Sequence, residues 1–280
     1  MRILKVPEIP QPPFHSILVT KQEEKLQFMS LGNYETRNES VMHLITMADR
    51  KYNFPNFDWL IINTDDSAIG KRYHNIKIFS FCTATDDYTQ ACPDWIFDHW
   101  KQIQLDDYEE TYNKIAEVGS TEPETNMLGW RGAASHPNRN ILVNLNNKMD
   151  IDAEFIRWDR SNPDRLTCVN YVSLPDHPKK WRYMIDIEGA GYSARLKLFF
   201  FSKRVLFLPD RPYKEWYFSL LKPLEHYVPI SRDMSNLLEN LSMIKNDLYL
   251  ENKLRHNAFE FAQKYLTREA ALARWNELLG

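Results

Sequence analysis

The chain has 280 residues, 43% of them apolar and 26% charged, with a net charge of −3. That balance describes an ordinary globular protein with enough chain for one large domain or two smaller ones. It excludes a general nucleic-acid binder, which would carry a basic stripe, and no stretch approaches the roughly 20 apolar residues of a membrane span.

Residues 16–20 and 25–31 read as strands. Val41, Leu44, Ile45 and Ala48 then recur at helical spacing, with Asn38 or Ser40 placed to cap the helix. Residues 58–63 (DWLIIN) form an apolar, β-prone run bounded by Pro55 and by Asp65-Asp66, which reads as a buried strand, and residues 76–82 as another. Residues 105–124 are acidic, then polar, and read as a bridge between two halves. Beyond it, residues 141–145, 166–173, 183–187 and 205–208 read as strands. Residues 192–202 are expected to be helical, followed by helices over 235–245, 251–265 and 268–279. Strands alternating with helices in both halves imply two doubly wound lobes.

Three cysteines, Cys82, Cys92 and Cys168, form no CxxC pair. This argues against a disulfide framework and a structural zinc site, and for a reducing compartment. The first residues hold no apolar run of signal-peptide length. The expected location is therefore the cytoplasm, of a cell or of an infected host.

Four constellations carry chemistry. In MIDIEGAGYSAR, a strand ending at Asp186–Glu188 runs into a Gly189-Ala190-Gly191 turn. A helix starting near Ser193, after Tyr192, would aim its free N–H groups at that turn and make an anion site, with Arg195 adding a forked contact. A plain glycine turn between packed elements is the other reading. In Gly129-Trp130-Arg131-Gly132, the flanking glycines leave Arg131 little cover, so it reads as accessible and as a second clamp. Trp130 either covers a nucleobase or packs. Asp65 and Asp66 follow a buried strand at the end where α/β proteins place functional loops, and adjacent carboxylates suit a general base; an exposed turn is the alternative. Phe81, Asp94 and Trp95 form an aromatic-acidic stretch that fits either a sugar platform or core packing. No HExxH, GxSxG or complete phosphate loop occurs.

Taken in order, FPNFDWLIINTDD, IFSFCTATDDYTQACPDWIF, WRGAA, YMIDIEGAGYSARLKLFFFSKRVLFL and EWYFSLLKPLEHYVPISRDMSNLLENL resemble glycosyltransferase family 90, the protein O-glucosyltransferase-like enzymes. The last two blocks are the most specific. The resemblance implies an α/β fold of the GT-B type, two Rossmann-like lobes facing a central cleft. Residues 1–118 would bind the acceptor and residues 119–265 the nucleotide sugar, with a C-terminal helix over 266–280 packing back on the first lobe. It implies an inverting transfer, without metal or other cofactor, from a UDP-sugar to a hydroxyl of an oligosaccharide or glycoprotein. A likeness to viral members favours xylose over glucose. By position in the motifs, Asp66 is the general base and Asp65 its near alternative. Arg131 and Arg195 neutralise the leaving diphosphate, with Trp130, Gly132, Gly189, Ala190, Gly191, Tyr192 and Ser193 around them, and Glu215 meets the ribose. Phe81, Asp94 and Trp95, with the two aspartates, would face the acceptor. A binding protein without catalysis on the same fold is the rival reading, since it needs the clamps but not the base.

Overall fold

The computed structural model describes residues 15–65, 72–73, 75–103, 105–147, 149–158 and 168–280. The chain divides into two compact units. Unit 1 comprises residues 1–108, 212–219 and 267–280, and unit 2 comprises 109–211 and 220–266.

Unit 1 contains β1 (Ser16–Gln22), β2 (Lys25–Leu31), α1 (Glu35–Tyr52), β3 (Phe57–Asn63), β4 (Arg72–Tyr73) and β5 (Ile76–Ser80). Its sheet has the order β2-β1-β3-β5-β4. Only β3 and β5 run parallel, and the other pairs are antiparallel. This half therefore departs from the doubly wound lobe expected of it. The cause is local: β1 and β2 are joined by Glu23 and Glu24, both at positive φ (50° and 63°). That is the primed two-residue turn whose twist makes an antiparallel hairpin.

Helix α1 buries Val41, Leu44, Ile45 and Ala48 as its periodicity predicts. Its start differs. Tyr34 is the N-cap, with no side-chain cap bond, and Asn38 and Ser40 lie inside the helix. The Asn38 amide is taken by Ser30 Oγ, and Ser40 Oγ donates back to the Thr36 carbonyl at 3.1 Å. Beyond the other end of α1, the buried Lys21 ammonium spends its donors on Asp49 (2.9 Å), Asn53 (3.1 Å) and the Phe54 carbonyl (2.6 Å). The C-terminal helix Arg268–Leu279 is capped by Thr267 and belongs to unit 1. Arg268 donates to the Phe97 carbonyl at 2.9 Å, and Arg274 to the Tyr88 carbonyl at 2.7 Å.

In the remainder of the chain lie α2 (Tyr108–Val118), β6 (Thr125–Gly132), α3 (Pro137–Asn144), β7 (Ile151–Phe155), the short pair β8 (Arg157–Trp158) and β9 (Cys168–Val169), α4 (Asp176–Lys180), β10 (Trp181–Ile185), α5 (Leu196–Phe199), β11 (Val205–Pro209), β12 (Val228–Ile230), α6 (Leu237–Asn246) and α7 (Leu248–Tyr265). Strands β7-β6-β10-β11-β12 make a wholly parallel sheet. Counted by appearance, that order is 2-1-3-4-5, one of the two common doubly wound arrangements. The order reverses between β6 and β10, and such sheets take ligands at the carboxyl ends of the strands at that point. Beneath it, Leu128, Trp130, Ile151, Tyr183, Ile185, Val205 and Phe207 form a buried core with residues of α6 and α7.

Several expectations fail here. The bridge over 105–124 contains the helix α2. Residues 141–145 fall largely in the helix α3, which starts at Pro137 after a His136 cap whose Nδ1 accepts the Asn138 N–H at 3.2 Å. An apolar triplet such as Ile141-Leu142-Val143 has no period of its own to separate helix from strand. The helix expected over 192–202 shrinks to four residues and a 3-10 turn ending at Lys203. Of the strand expected over 166–173, only Cys168–Val169 is present, and residues 166–167 lie outside the described residues.

Strand β6 was not expected as an element, and its glycines explain why. A Cβ placed at Gly129 would sit 1.8 Å from Trp181 Cδ2, so glycine there admits the indole rather than loosening the chain. Gly129→Ala is expected to cost about 1–3 kcal/mol, the range for overpacking a filled core. It should lower the urea midpoint at unchanged slope. An unchanged midpoint would show that Trp181 is free to swing away.

The buried Arg204 guanidinium donates to the carbonyls of Pro178 (2.9 Å), Gly119 (2.8 Å) and Thr121 (2.6 Å). Burial lowers its pKa to about 10.

Candidate functional site

At the switch point of unit 2, β6 ends in Arg131-Gly132 and β10 runs into Asp186, Ile187 and Glu188. Arg131 is not accessible as its glycine neighbours suggest; it is 4% exposed. Its Nη2 donates to Asp152 Oδ1 at 2.9 Å, and its Nη1 to the carbonyls of Trp130 and Asp152, both at 2.9 Å. Asp152 also accepts Trp181 Nε1 at 3.0 Å. The reason lies in the strand. Its pleat buries the side chain, and Gly132 makes room for Trp130, whose Cζ2 would lie 2.5 Å from an added Cβ. Trp130 itself is packed in the core.

Asp186 is fully buried and tightly held. Its oxygens accept Ser193 Oγ (2.8 Å), Arg195 Nε (3.3 Å) and Arg211 Nη1 (3.1 Å), while its carbonyl accepts Arg211 Nη2 (2.7 Å). A buried carboxylate is tolerated when paired and hydrogen-bonded in this way. Arg195 is half-buried. Its Nη1 donates to the Arg131 carbonyl at 2.6 Å, joining the ends of β6 and β10. Its Nη2 has no hydrogen-bond partner. Arg131 Nε is likewise without a partner, so two buried guanidinium donors at the switch point are unpaired. The expected helix N-terminus contributes less, because Arg195 caps a helix of only four residues, too short to align much dipole.

Around this pair the Gly189-Ala190-Gly191 turn is closed by Gly189 N–H to the Tyr192 carbonyl at 3.1 Å, and Tyr192 and Ser193 are buried. Arg139, which the sequence did not single out, knots the two loops. It donates to the carbonyls of Glu188 (2.9 Å), Ile187 (3.1 Å) and Ala133 (2.8 Å). Burial, then the neighbouring Arg195, lowers its pKa to about 10. His177 lies behind the site between Trp181 and Phe199. Burial first, then the charge of Arg195, holds its pKa down to about 3, so it is a neutral ring whose Nδ1 pairs with the Ser173 carbonyl at 2.8 Å. No local pattern marks Arg139, Asp152 or Arg211, since the Glu188, Arg131 and Asp186 partners that place them at the site lie more than twenty residues away.

In unit 1, Asn63, Thr64 and Asp65 stand at the carboxyl end of β3. Asp65 is half-buried, and its N–H donates to Asn63 Oδ1 at 3.2 Å. Asp66 lies outside the described residues. Phe81, Asp94 and Trp95 are each no more than 2% exposed, so the described chain has no open aromatic platform there. After β5 the chain folds back, with Cys92 N–H donating to the Ser80 carbonyl at 2.9 Å, and the aromatics fill the space. Trp95 packs edge-on against Phe81 and Trp100. The Arg37 guanidinium lies 4.0 Å from its ring centre and 4.2 Å from that of Tyr34. Arg37 also reaches the Thr64 carbonyl at 3.3 Å, a contact that no motif announced. Glu215 is buried, accepts Tyr217 Oη at 2.7 Å, and is assigned with the 212–219 segment to unit 1, whereas the other residues expected to hold the donor are assigned to unit 2. Among the described residues no group of three His, Cys, Asp or Glu is arranged to hold a metal ion, and no helix is long and apolar enough to cross a membrane.

Unit 2 defines an α/β protein that gathers its charged side chains at the switch point of a parallel sheet. The chain belongs to glycosyltransferase family 90: the model of that family, described as Glycosyl transferase family 90, matches residues 34–280. It is similar to Protein O-glucosyltransferase 1 of Mus musculus, 25% identical over 88% of this chain and 66% of the mouse protein. It is also similar to Protein O-glucosyltransferase 2 of Danio rerio, 26% identical over 82% of this chain and 47% of that protein. The O-glucosyltransferase rumi of Drosophila melanogaster is 26% identical over 80% of this chain and 59% of its own length. The chain thus spans less than two thirds of the length of these relatives.

Proposed function

We propose that the chain is an inverting glycosyltransferase. In this reading unit 2 holds a UDP-sugar and unit 1 presents a hydroxyl of a glycan or glycoprotein acceptor, the division of labour in a GT-B enzyme. The observation that carries it is the unpartnered, buried Arg195 Nη2 at the switch point. A guanidinium already oriented by Asp186 and by the Arg131 carbonyl needs little reorganisation to meet the charge that develops on a departing diphosphate. Arg131, committed to Asp152, acts in this scheme as a strut that fixes the carbonyl on which Arg195 rests. Asp66 removes the acceptor proton. The arginines supply the positive charge, so the reaction runs without a divalent ion. The names of the relatives bring glucose forward as a donor sugar beside xylose. The buried free thiols of Cys82 and Cys92 suit a reducing, cytoplasmic setting.

UDP, added in EDTA at ~100-fold excess over its Kd, is expected to raise Tm by about 5–10 °C. Arg195→Ala should remove most of that rise. Mutant and wild type shifting alike would take Arg195 out of the site, and a shift that needs Mn²⁺ or Mg²⁺ would end the metal-free reading.

A further inference from the structure

Glu188 is 1% exposed, and its two carboxylate oxygens are treated unequally. Oε1 receives Asn138 Nδ2 at 3.4 Å and faces His136 Nε2 at 3.8 Å. Oε2 is sealed from solvent and has no hydrogen-bond partner. The side chain stands at the start of α3, an eight-residue helix whose positive end favours a carboxylate. There His136 uses Nδ1 to accept the Asn138 N–H, which leaves the ring proton of the neutral imidazole on Nε2, the atom nearer Glu188. Arg139 fixes the backbone by holding the Glu188 carbonyl at 2.9 Å. The residue is thus locked in place with one acceptor unused. Buried acceptors are rarely left so, and the exception calls for a partner.

We propose that Glu188 recognises a vicinal diol of the ligand bound at the switch point. This rests on the reading of unit 2 as a nucleotide-sugar site. Two hydroxyls on adjacent carbons donate to both oxygens of one carboxylate, filling Oε2 and replacing the long contacts on Oε1. A phosphate cannot take this place, because it offers acceptors and negative charge to a carboxylate. The polar work divides along the same turn: Arg195 offers a donor for anionic oxygens, and Glu188 offers acceptors for hydroxyls. Glu215, whose Oε2 already accepts Tyr217 Oη, is relieved of that role. In a UDP-sugar the diols nearest the diphosphate are O2′/O3′ of the ribose and O2/O3 of the sugar ring, and Glu188 takes one of these two.

Calorimetric titration of the full chain separates the two sources. The probes are UDP against 2′-deoxy-UDP, and UDP-glucose against UDP-2-deoxyglucose. Wild type is expected to bind one deoxy member about tenfold or more weakly than its parent, as for a lost hydrogen bond to a charged group. Loss with 2′-deoxy-UDP assigns the ribose, and loss only with UDP-2-deoxyglucose assigns the transferred sugar. Glu188→Gln should bind parent and deoxy ligands alike; if it does not fold, Glu188→Asp, which withdraws the carboxylate by one methylene, serves the same comparison. Full discrimination retained in the variant that folds overturns the proposal, as does wild type that binds UDP but ignores both missing hydroxyls. Wild type that binds no UDP at all overturns the nucleotide-sugar reading itself, and this proposal with it.

Discussion

Asp66→Asn is expected to lower sugar transfer by about 10²–10⁴-fold, the usual contribution of a general base, while UDP binding stays near wild type. The amide keeps the size and reach of the side chain but cannot take the acceptor proton. Binding is spared because the unpartnered Arg195 donor belongs to unit 2 and the strand leading to Asp66 to unit 1. Asp65→Asn should cost much less, since in the proposed scheme Asp66 takes the proton and Asp65 does not. The product linkage should be inverted relative to the donor, because a single displacement leaves no covalent intermediate. Transfer assays with both variants, and the anomeric configuration of the product, decide the matter. A dead Asp65→Asn beside an active Asp66→Asn would shift the base by one residue. A retained configuration would end the displacement mechanism. Wild type that binds UDP and transfers nothing to any acceptor would favour the binding-protein reading.

Asp186→Asn is expected to destabilise unit 2 by about 3–5 kcal/mol, the cost of leaving buried charge uncompensated. Arg211, fully enclosed, would lose its ion-pair partner at 3.1 Å, and Arg195 one at 3.3 Å. Urea unfolding measures the loss. The double variant Asp186→Asn/Arg211→Met should recover part of it, because the two sites share one interaction. A single variant within 1 kcal/mol of wild type would mean that solvent reaches this cluster. Arg195, no longer held by its carboxylate, should also bind UDP more weakly in the single variant.

What could be read from the residues, and what could not, divides on the range of the cause. Strand β2 and the last helix keep the expected bounds, since the alternation of KLQFMSL and the Thr267 cap are local signals. Strand β6 was missed because its glycines answer to Trp181, more than fifty residues on, and a glycine pair seen alone reads as a loop. The site shows the same split. The turn after β10 and Arg195 were legible from spacing. That Arg131 is a buried strut, that Trp95 is walled in, and that Arg139 ties two loops together depend on partners no local window contains. The doubly wound reading of unit 1 failed on two glutamates held at positive φ, a conformation that glycine or asparagine would have advertised.

Unit 1 is assembled from three separate stretches of chain, the last of them residues 267–280. On the ribosome its first strands emerge early, yet the helix carrying Arg268 and Arg274 is made after all of unit 2. The Phe97 and Tyr88 carbonyls that those arginines hold must wait through the synthesis of more than 160 residues. Contacts so far apart in sequence form slowly, and domains commonly fold as units during synthesis. Unit 2, continuous apart from one short excursion, can close first. The unit whose strands are made before those of unit 2 is thus the one that matures last, and its exposed strands before that moment are where a chaperone would find the nascent chain.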